Sequence, residues 1–180
     1  MDIRVKKTEN SIKNAFLELR TKKALEKITV KELCEKACIN KSTFYAHYQD
    51  IFALSDAMEA EVVNNIMKTI SVSDPITKNL EQFVKELTYA FVSQSSLINM
   101  LFSGNQRSHL ANQIEESVKE MIYEKYPDVR ESLKWNVVLS YCIQGSYWAF
   151  QGNRKYDTNE VIGVIADIAE KVQPLYREDL

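Results

Sequence analysis

Apolar residues recur along this chain at intervals of three and four, the spacing of one helix face, and no stretch alternates long enough to read as a strand. Ile12, Ala15, Phe16 and Leu19 mark an amphipathic helix from Val5 to about Leu25. Ile51, Leu54, Met58, Val62 and Ile66 mark a long helix reaching about Ile70, and Ile76, Leu80, Phe83, Val84, Leu87 and Phe91 mark another. A short apolar run from Leu97 to Phe102 ends at Gly104 and Asn105. Leu110, Ile114, Val118, Met121 and Ile122 then define a helix closed by Tyr126 and Pro127. The pattern predicts an all-α chain.

Start and stop signals divide it further. The densest lie between Ile28 and Asp50, ITVKELCEKACINKSTFYAHYQD. Thr29 followed by Glu32 is a capping box, with Ile28 placed to staple onto Leu33; Asn40 is a second N-cap, flanked by Ile39 and Phe44. Two starts this close allow only a pair of short helices, Val30 to Ala37 and Lys41 to about Tyr48, joined by a tight turn. With the preceding helix they make a three-helix unit containing a helix-turn-helix. Asp50 caps the long helix that follows. Asp128 with Glu131 predicts a helix through about Phe150, and Asp157 with Glu160 a last one through about Val172, stopped by Pro174. Ser71 to Pro75 is the clearest break. The expected division is nevertheless a helix-turn-helix domain over residues 1–50 and a helical domain over 51–180, joined by the long helix.

Charge gives this division a direction. The whole chain carries a net −2, but residues 1–50 carry +4 and residues 51–180 carry −6. A basic N-terminal part suits phosphate. Its second short helix gathers Lys41, Ser42, Thr43, Tyr45, His47 and Tyr48, donors suited to phosphates and base edges, around one apolar Phe44. In a helix-turn-helix the N-terminal residues of that second helix, here Lys41, Ser42 and Thr43, enter the major groove first.

These residues carry a family resemblance. The run from Ile28 to Leu54 resembles the DNA-binding segment of the tetracycline-repressor (TetR) family of bacterial transcriptional regulators, matching at Thr29, Lys41, Ser42, Thr43, Phe44, Tyr45, His47 and Tyr48. The resemblance implies phosphate contacts from Thr29, Tyr45, His47 and Tyr48 and base or near-base contacts from Lys41, Ser42 and Thr43, on a palindromic operator in double-stranded DNA. It is confined to the first quarter of the chain; the remainder agrees only in length and helical character. Cys38 stands where the family commonly has a turn glycine, and Ile51 where it often has a lysine.

The last two helices are apolar on more than one face. Leu133, Val137, Tyr141, Gly145 and Trp148 form one stripe beside Trp135, Val138, Leu139, Cys142 and Ala149; Val161, Ile165, Ile168 and Val172 lie beside Ile162 and Ala169. A second apolar face wants a partner, and a homodimer through these helices is the economical expectation. The resemblance also implies an unknown small-molecule effector. Met58, Phe83, Phe91, Met100, Phe102, Tyr123 and Tyr141 could line its site, although each taken singly reads better as core, since aromatics at helical spacing are what cores are made of. The acidic balance gives weak support to a cationic ligand.

Other functions find little support. Three cysteines, Cys34, Cys38 and Cys142, and two distant histidines, His47 and His109, offer no metal-ligand spacing, so no cofactor or metal is expected. No phosphate loop or nucleophile motif suggests an enzyme. No apolar run approaches bilayer length and MDIRVKKTEN lacks the apolar segment of a signal peptide, so a cytoplasmic protein is expected. The expectation is a dimeric, effector-controlled transcriptional regulator, in the first instance a repressor; the alternative is a DNA-binding coactivator controlled by a protein partner.

Overall fold

The computed structural model describes residues 3–71, 80–102 and 107–174. Among these every regular element is helical: α1 (Ile3–Arg20), α2 (Val30–Ala37), α3 (Lys41–Tyr45), α4 (Ile51–Lys68), α5 (Leu80–Ser93), α6 (Ser95–Leu101), α7 (Arg107–Lys125), α8 (Leu133–Gly152) and α9 (Thr158–Val172), with short 3-10 turns at Leu25–Lys27 and Pro127–Glu131. The fold is all-α, a helix-turn-helix unit followed by a helical one. No helix is long and apolar enough to cross a membrane among the described residues. Asp74, Pro75, Ile76, Gly104 and Asn105 lie outside them.

The chain divides into two compact units, one of Met1–Val62 with Ser96–Gln106, the other of Val63–Ser95 with Arg107–Leu180. In the first, α1 packs on α2 and α2 on α3. Ile12, Phe16, Leu33, Phe44 and Leu54 are its fully buried centre. Its N-terminal helix ends earlier than the apolar pattern suggests, at Arg20, because Lys22 and Lys23 turn their N–H groups back onto the Leu19 carbonyl. Leu25 is still buried, but from the 3-10 turn. The Arg20 guanidinium donates to the carbonyls of Lys23 at 3.2 Å, Met100 at 2.9 Å and Leu101 at 3.1 Å. Through these bonds α1 satisfies carbonyls at the end of α6, which an isolated helix would leave bare.

In the second unit α5 packs chiefly on α9, α7 on α8, and α8 on α9. The start of α8 differs from expectation. Pro127–Glu131 forms a separate 3-10 turn, Ser132 is extended at ψ 116, and its side chain accepts from the Trp135 N–H at 3.4 Å. The Asp128 and Glu131 signature therefore marks that turn, while Ser132 caps the helix. Asp157 caps α9 as expected, accepting from Asn159 and Glu160.

Candidate functional site

The helix-turn-helix begins at a working cap. Thr29 accepts from the Glu32 N–H at 3.2 Å, and Ile28 and Leu33 are both buried, as the staple requires. The turn is made by Cys38 in the left-handed region, φ 55 and ψ 44, the one described non-glycine residue with positive φ. Its N–H and that of Ile39 close onto carbonyls of the last turn of α2. Asn40 occupies the N-cap of α3 without a side-chain cap bond. Asp50 caps α4 by accepting from the Ala53 N–H at 2.8 Å.

Phe44 anchors α3 with no exposed surface. Its ring meets Tyr45 edge-on at 5.6 Å and Tyr48 at 6.0 Å. With Phe44 turned inward, the helical rotation of about 100° per residue puts Lys41, Ser42 and Tyr45 on one outward face. All three are exposed, Tyr45 by 56%. Thr43, His47 and Tyr48 are half-buried at its edge. The helix is shorter than expected because the His47 and Tyr48 N–H groups both return to the Phe44 carbonyl at 2.9 Å, closing it with a turn.

Most nearby cations are engaged. Lys13 bridges Glu9 at 2.8 Å and Glu61 at 2.6 Å, Lys23 meets Glu32 at 2.6 Å, and Lys36 pairs with Glu18. No ion pair holds Lys41 among the described residues. The Tyr48 hydroxyl donates toward Glu9 at 3.5 Å, and burial pushes its phenol up. Glu9, held low chiefly by its hydrogen bond from Lys13, thus ties α1 to the segment after α3. Ile51 is only 5% exposed, so the position that carries a lysine in similar sequences faces the core here.

The second unit contains an apolar cavity of about 100 Å³. One wall is a continuous face of α5 from Leu80 through Phe83, Val84, Leu87 and Thr88 to Phe91. The opposite wall comes from α7 at Ile114, Val118 and Ile122, and from α8 at Val138, Cys142 and Ser146 among others, with Ala169 of α9 at one side. No charged side chain lines it among the described residues.

Solved structures with this arrangement exist. One is a candidate transcriptional regulator from Pseudomonas aeruginosa PAO1, with a TM-score of 0.54 and 12% identity over 92% of this chain and 90% of that one. Another is the fatty acid degradation regulator FadR from Bacillus halodurans, with a TM-score of 0.53 and 13% identity over 94% and 95%. The fold is that of helical transcription regulators. At these identities the likeness is one of fold. No family model matches the sequence, and no curated protein matches it.

Within this fold the residues expected at an effector site scatter. Phe83 and Phe91 line the cavity. Met58, Met100 and Phe102 belong to the other unit, where Met58 and Phe102 are core and the Met100 carbonyl accepts from Arg20. Tyr123 is buried off the cavity, its hydroxyl donating to Asn136 at 2.6 Å, and Tyr141 is 73% exposed. Among the described residues the cavity lining holds no acidic group of the kind a cationic ligand would need. Sequence reasoning missed Val138, Cys142 and Ser146 by searching for aromatics and methionines. The available signal was the apolar face of α5 from Leu80 to Phe91, which faces small, aliphatic and aromatic side chains of α7 and α8 together.

Proposed function

We infer that the chain is a DNA-binding transcriptional regulator of the tetracycline-repressor type, acting as a homodimer on a palindromic operator under the control of a small molecule. The observation that carries this reading is the outward face of α3, where Lys41, Ser42 and Tyr45 are exposed on a helix fixed by the buried Phe44. An exposed tyrosine beside a lysine without an ion pair is a poor surface for a core and a good one for a phosphate backbone. In this reading Lys41, Ser42 and Thr43 reach base edges. Thr29, Tyr45, His47 and Tyr48 hold phosphates, with Tyr48 positioned through Glu9.

The dimer is supported by the outer face of α8. Leu133 is 79% and Tyr141 73% exposed, with Val137 and Trp148 on the same stripe and Val164 and Ile168 exposed on α9. Gly145 lies mid-helix within that stripe, and a Cβ there would meet nothing within 4 Å. A helical glycine costs up to about 1 kcal/mol against alanine. Nothing in the protomer needs that cost, whereas close approach of a second α8 would. Two reading helices related by a dyad would then address half-sites about one DNA turn, roughly 34 Å, apart.

Effector control would act on α4, which begins in one compact unit and ends in the other. A ligand shifts DNA affinity only by binding the competent and incompetent states differently. The direct test is fluorescence anisotropy on operator DNA with Tyr45→Ala. The expected result is at least about tenfold weaker binding with unchanged helicity and dimerisation, the loss of one hydrogen bond to a charged group. Undiminished affinity would remove α3 as the reader.

A further inference from the structure

We propose that Lys6 and Lys7, on the second turn of α1, hold backbone phosphates of the duplex beside the half-site read by α3, so that the DNA surface of the first unit includes α1. This deepens the DNA-binding reading above and rests on it.

Placement comes first. Along its length α1 meets its neighbours in a fixed order. Arg20, its last residue, donates to the Met100 and Leu101 carbonyls of α6 at 2.9 and 3.1 Å. Lys13, near its middle, bridges to Glu61 of α4 at 2.6 Å. Glu9, nearer its start, faces the Tyr48 hydroxyl at 3.5 Å, just past the end of α3. Followed toward its N-terminus, α1 thus runs from α6 to the reading segment. Lys6 comes next on that course, three residues before Glu9 on the same helix face and a rise of about 4.5 Å farther on. Lys7 stands beside it.

Availability is the second observation. On the described part of α1 the one acid within a turn of Lys6 or Lys7 is Glu9. That carboxylate is taken by Lys13 at 2.8 Å, and Tyr48 donates toward it as well. Among the described residues neither Lys6 nor Lys7 has an ion pair or hydrogen bond through its side chain. Both are exposed, as is every residue from Ile3 to Lys7, and the first buried position of α1 is Ile12. The turns ahead of Ile12 therefore contribute no core. They carry the lysines on a helix continuous with the packed part, which limits the backbone entropy lost when a partner is bound.

The chemistry of the partner follows from the neighbours. Two lysines alone suit any polyanion, but these adjoin the segment that gathers Lys41, Tyr45 and His47. Duplex DNA offers one negative charge per about 1.7 Å of its axis, so a helix lying next to the reader meets further phosphates. Such contacts add affinity and fix orientation without reading sequence.

The test is fluorescence anisotropy of the full-length protein on its selected palindrome and on a scrambled duplex, across a salt series. The double variant Lys6→Ala/Lys7→Ala should bind both duplexes more weakly by a similar factor. Its slope of log affinity against log salt should be shallower by about 0.9 for each lysine, about 1.8 per protomer. Lys6→Arg/Lys7→Arg keeps the charge and should keep the wild-type slope. Lys155→Ala/Lys171→Ala removes two exposed charges from the second unit and should leave the slope unaltered. A wild-type slope in the Lys6→Ala/Lys7→Ala protein would overturn the proposal. So would an equal fall in the Lys155→Ala/Lys171→Ala protein, which would make the effect one of net charge. Wild-type protein that selects no DNA would sink the regulator reading itself, whereas selective binding with an unaltered slope in the α1 variant sinks only the α1 contact.

Discussion

Cys38 makes the turn on which the helix-turn-helix depends, and it does so in a conformation that costs a non-glycine residue roughly 1–2 kcal/mol. Glycine would remove that strain and return part of the gain as chain entropy. Cys38→Gly should therefore raise unfolding stability by about 0.5–1 kcal/mol, read as a higher urea midpoint at unchanged slope. A lower midpoint would mean that the exposed thiol makes a stabilising contact. Thr29→Ala should cost about 1 kcal/mol through loss of the α2 cap. Both positions were legible in the sequence, Thr29 from its spacing to Glu32 and Cys38 from its place between two capped helices. Asn40 was legible only as a position, since its side chain makes no cap bond. Lys41 belongs to this scale as well. If it meets a phosphate or base edge, Lys41→Ala should reduce the salt dependence of DNA binding by about one ion per protomer.

At the scale of elements, α8 is the most informative helix because its faces do different things. One lines the cavity, one is exposed and apolar, and one meets α7 through a polar cluster. In that cluster Glu115 accepts from Ser140 at 2.5 Å, Gln144 at 2.9 Å and Lys119 at 2.7 Å. Burial pushes the Glu115 carboxyl up, but the hydrogen bonds from Lys119, Ser140 and Gln144 outweigh it and hold the group below the ordinary glutamate value. A lowered folded value contributes stability that is fully present above the unfolded value and is lost as pH falls through the folded one. Glu115→Gln should therefore lower stability at neutral pH and flatten the decline on the acid side of the ordinary glutamate range. Thermal melts across that range would show it, and parallel curves for both proteins would refute it. The exposed face makes its own prediction. Gly145→Leu should leave the protomer helical and dissociate the dimer in sedimentation equilibrium, whereas a dimer of unaltered affinity would place the interface elsewhere. The sequence announced two apolar faces on α8 but could not say which was outer. It also misplaced the helix start, because an Asp128 and Glu131 pair looks alike before a 3-10 turn and before an α-helix.

Over the whole molecule, helix content and order were legible, since a 3.6-residue period survives whatever the helices pack against. The grouping of helices was less so. The expected division set residues 1–50 apart from 51–180 with the boundary inside the long helix; the compact units part between Val62 and Val63, within α4, and the first also takes in residues 96–106. Arg20 reaching the Met100 and Leu101 carbonyls is the reason a segment eighty residues away belongs with the first unit, and no local pattern encodes such a contact. The cavity was illegible for a similar reason, because an apolar position reads the same whether its neighbour is a side chain or empty space. The central claim is that α3 is half of a two-fold DNA reader. It is tested most directly by selecting bound sequences from a random DNA pool at fixed, stated salt, with the wild-type protein and Tyr45→Ala in parallel. The account predicts an enriched palindrome with half-sites about one helical turn apart, lost in the variant. No enrichment over bulk DNA by the folded wild-type protein would contradict it.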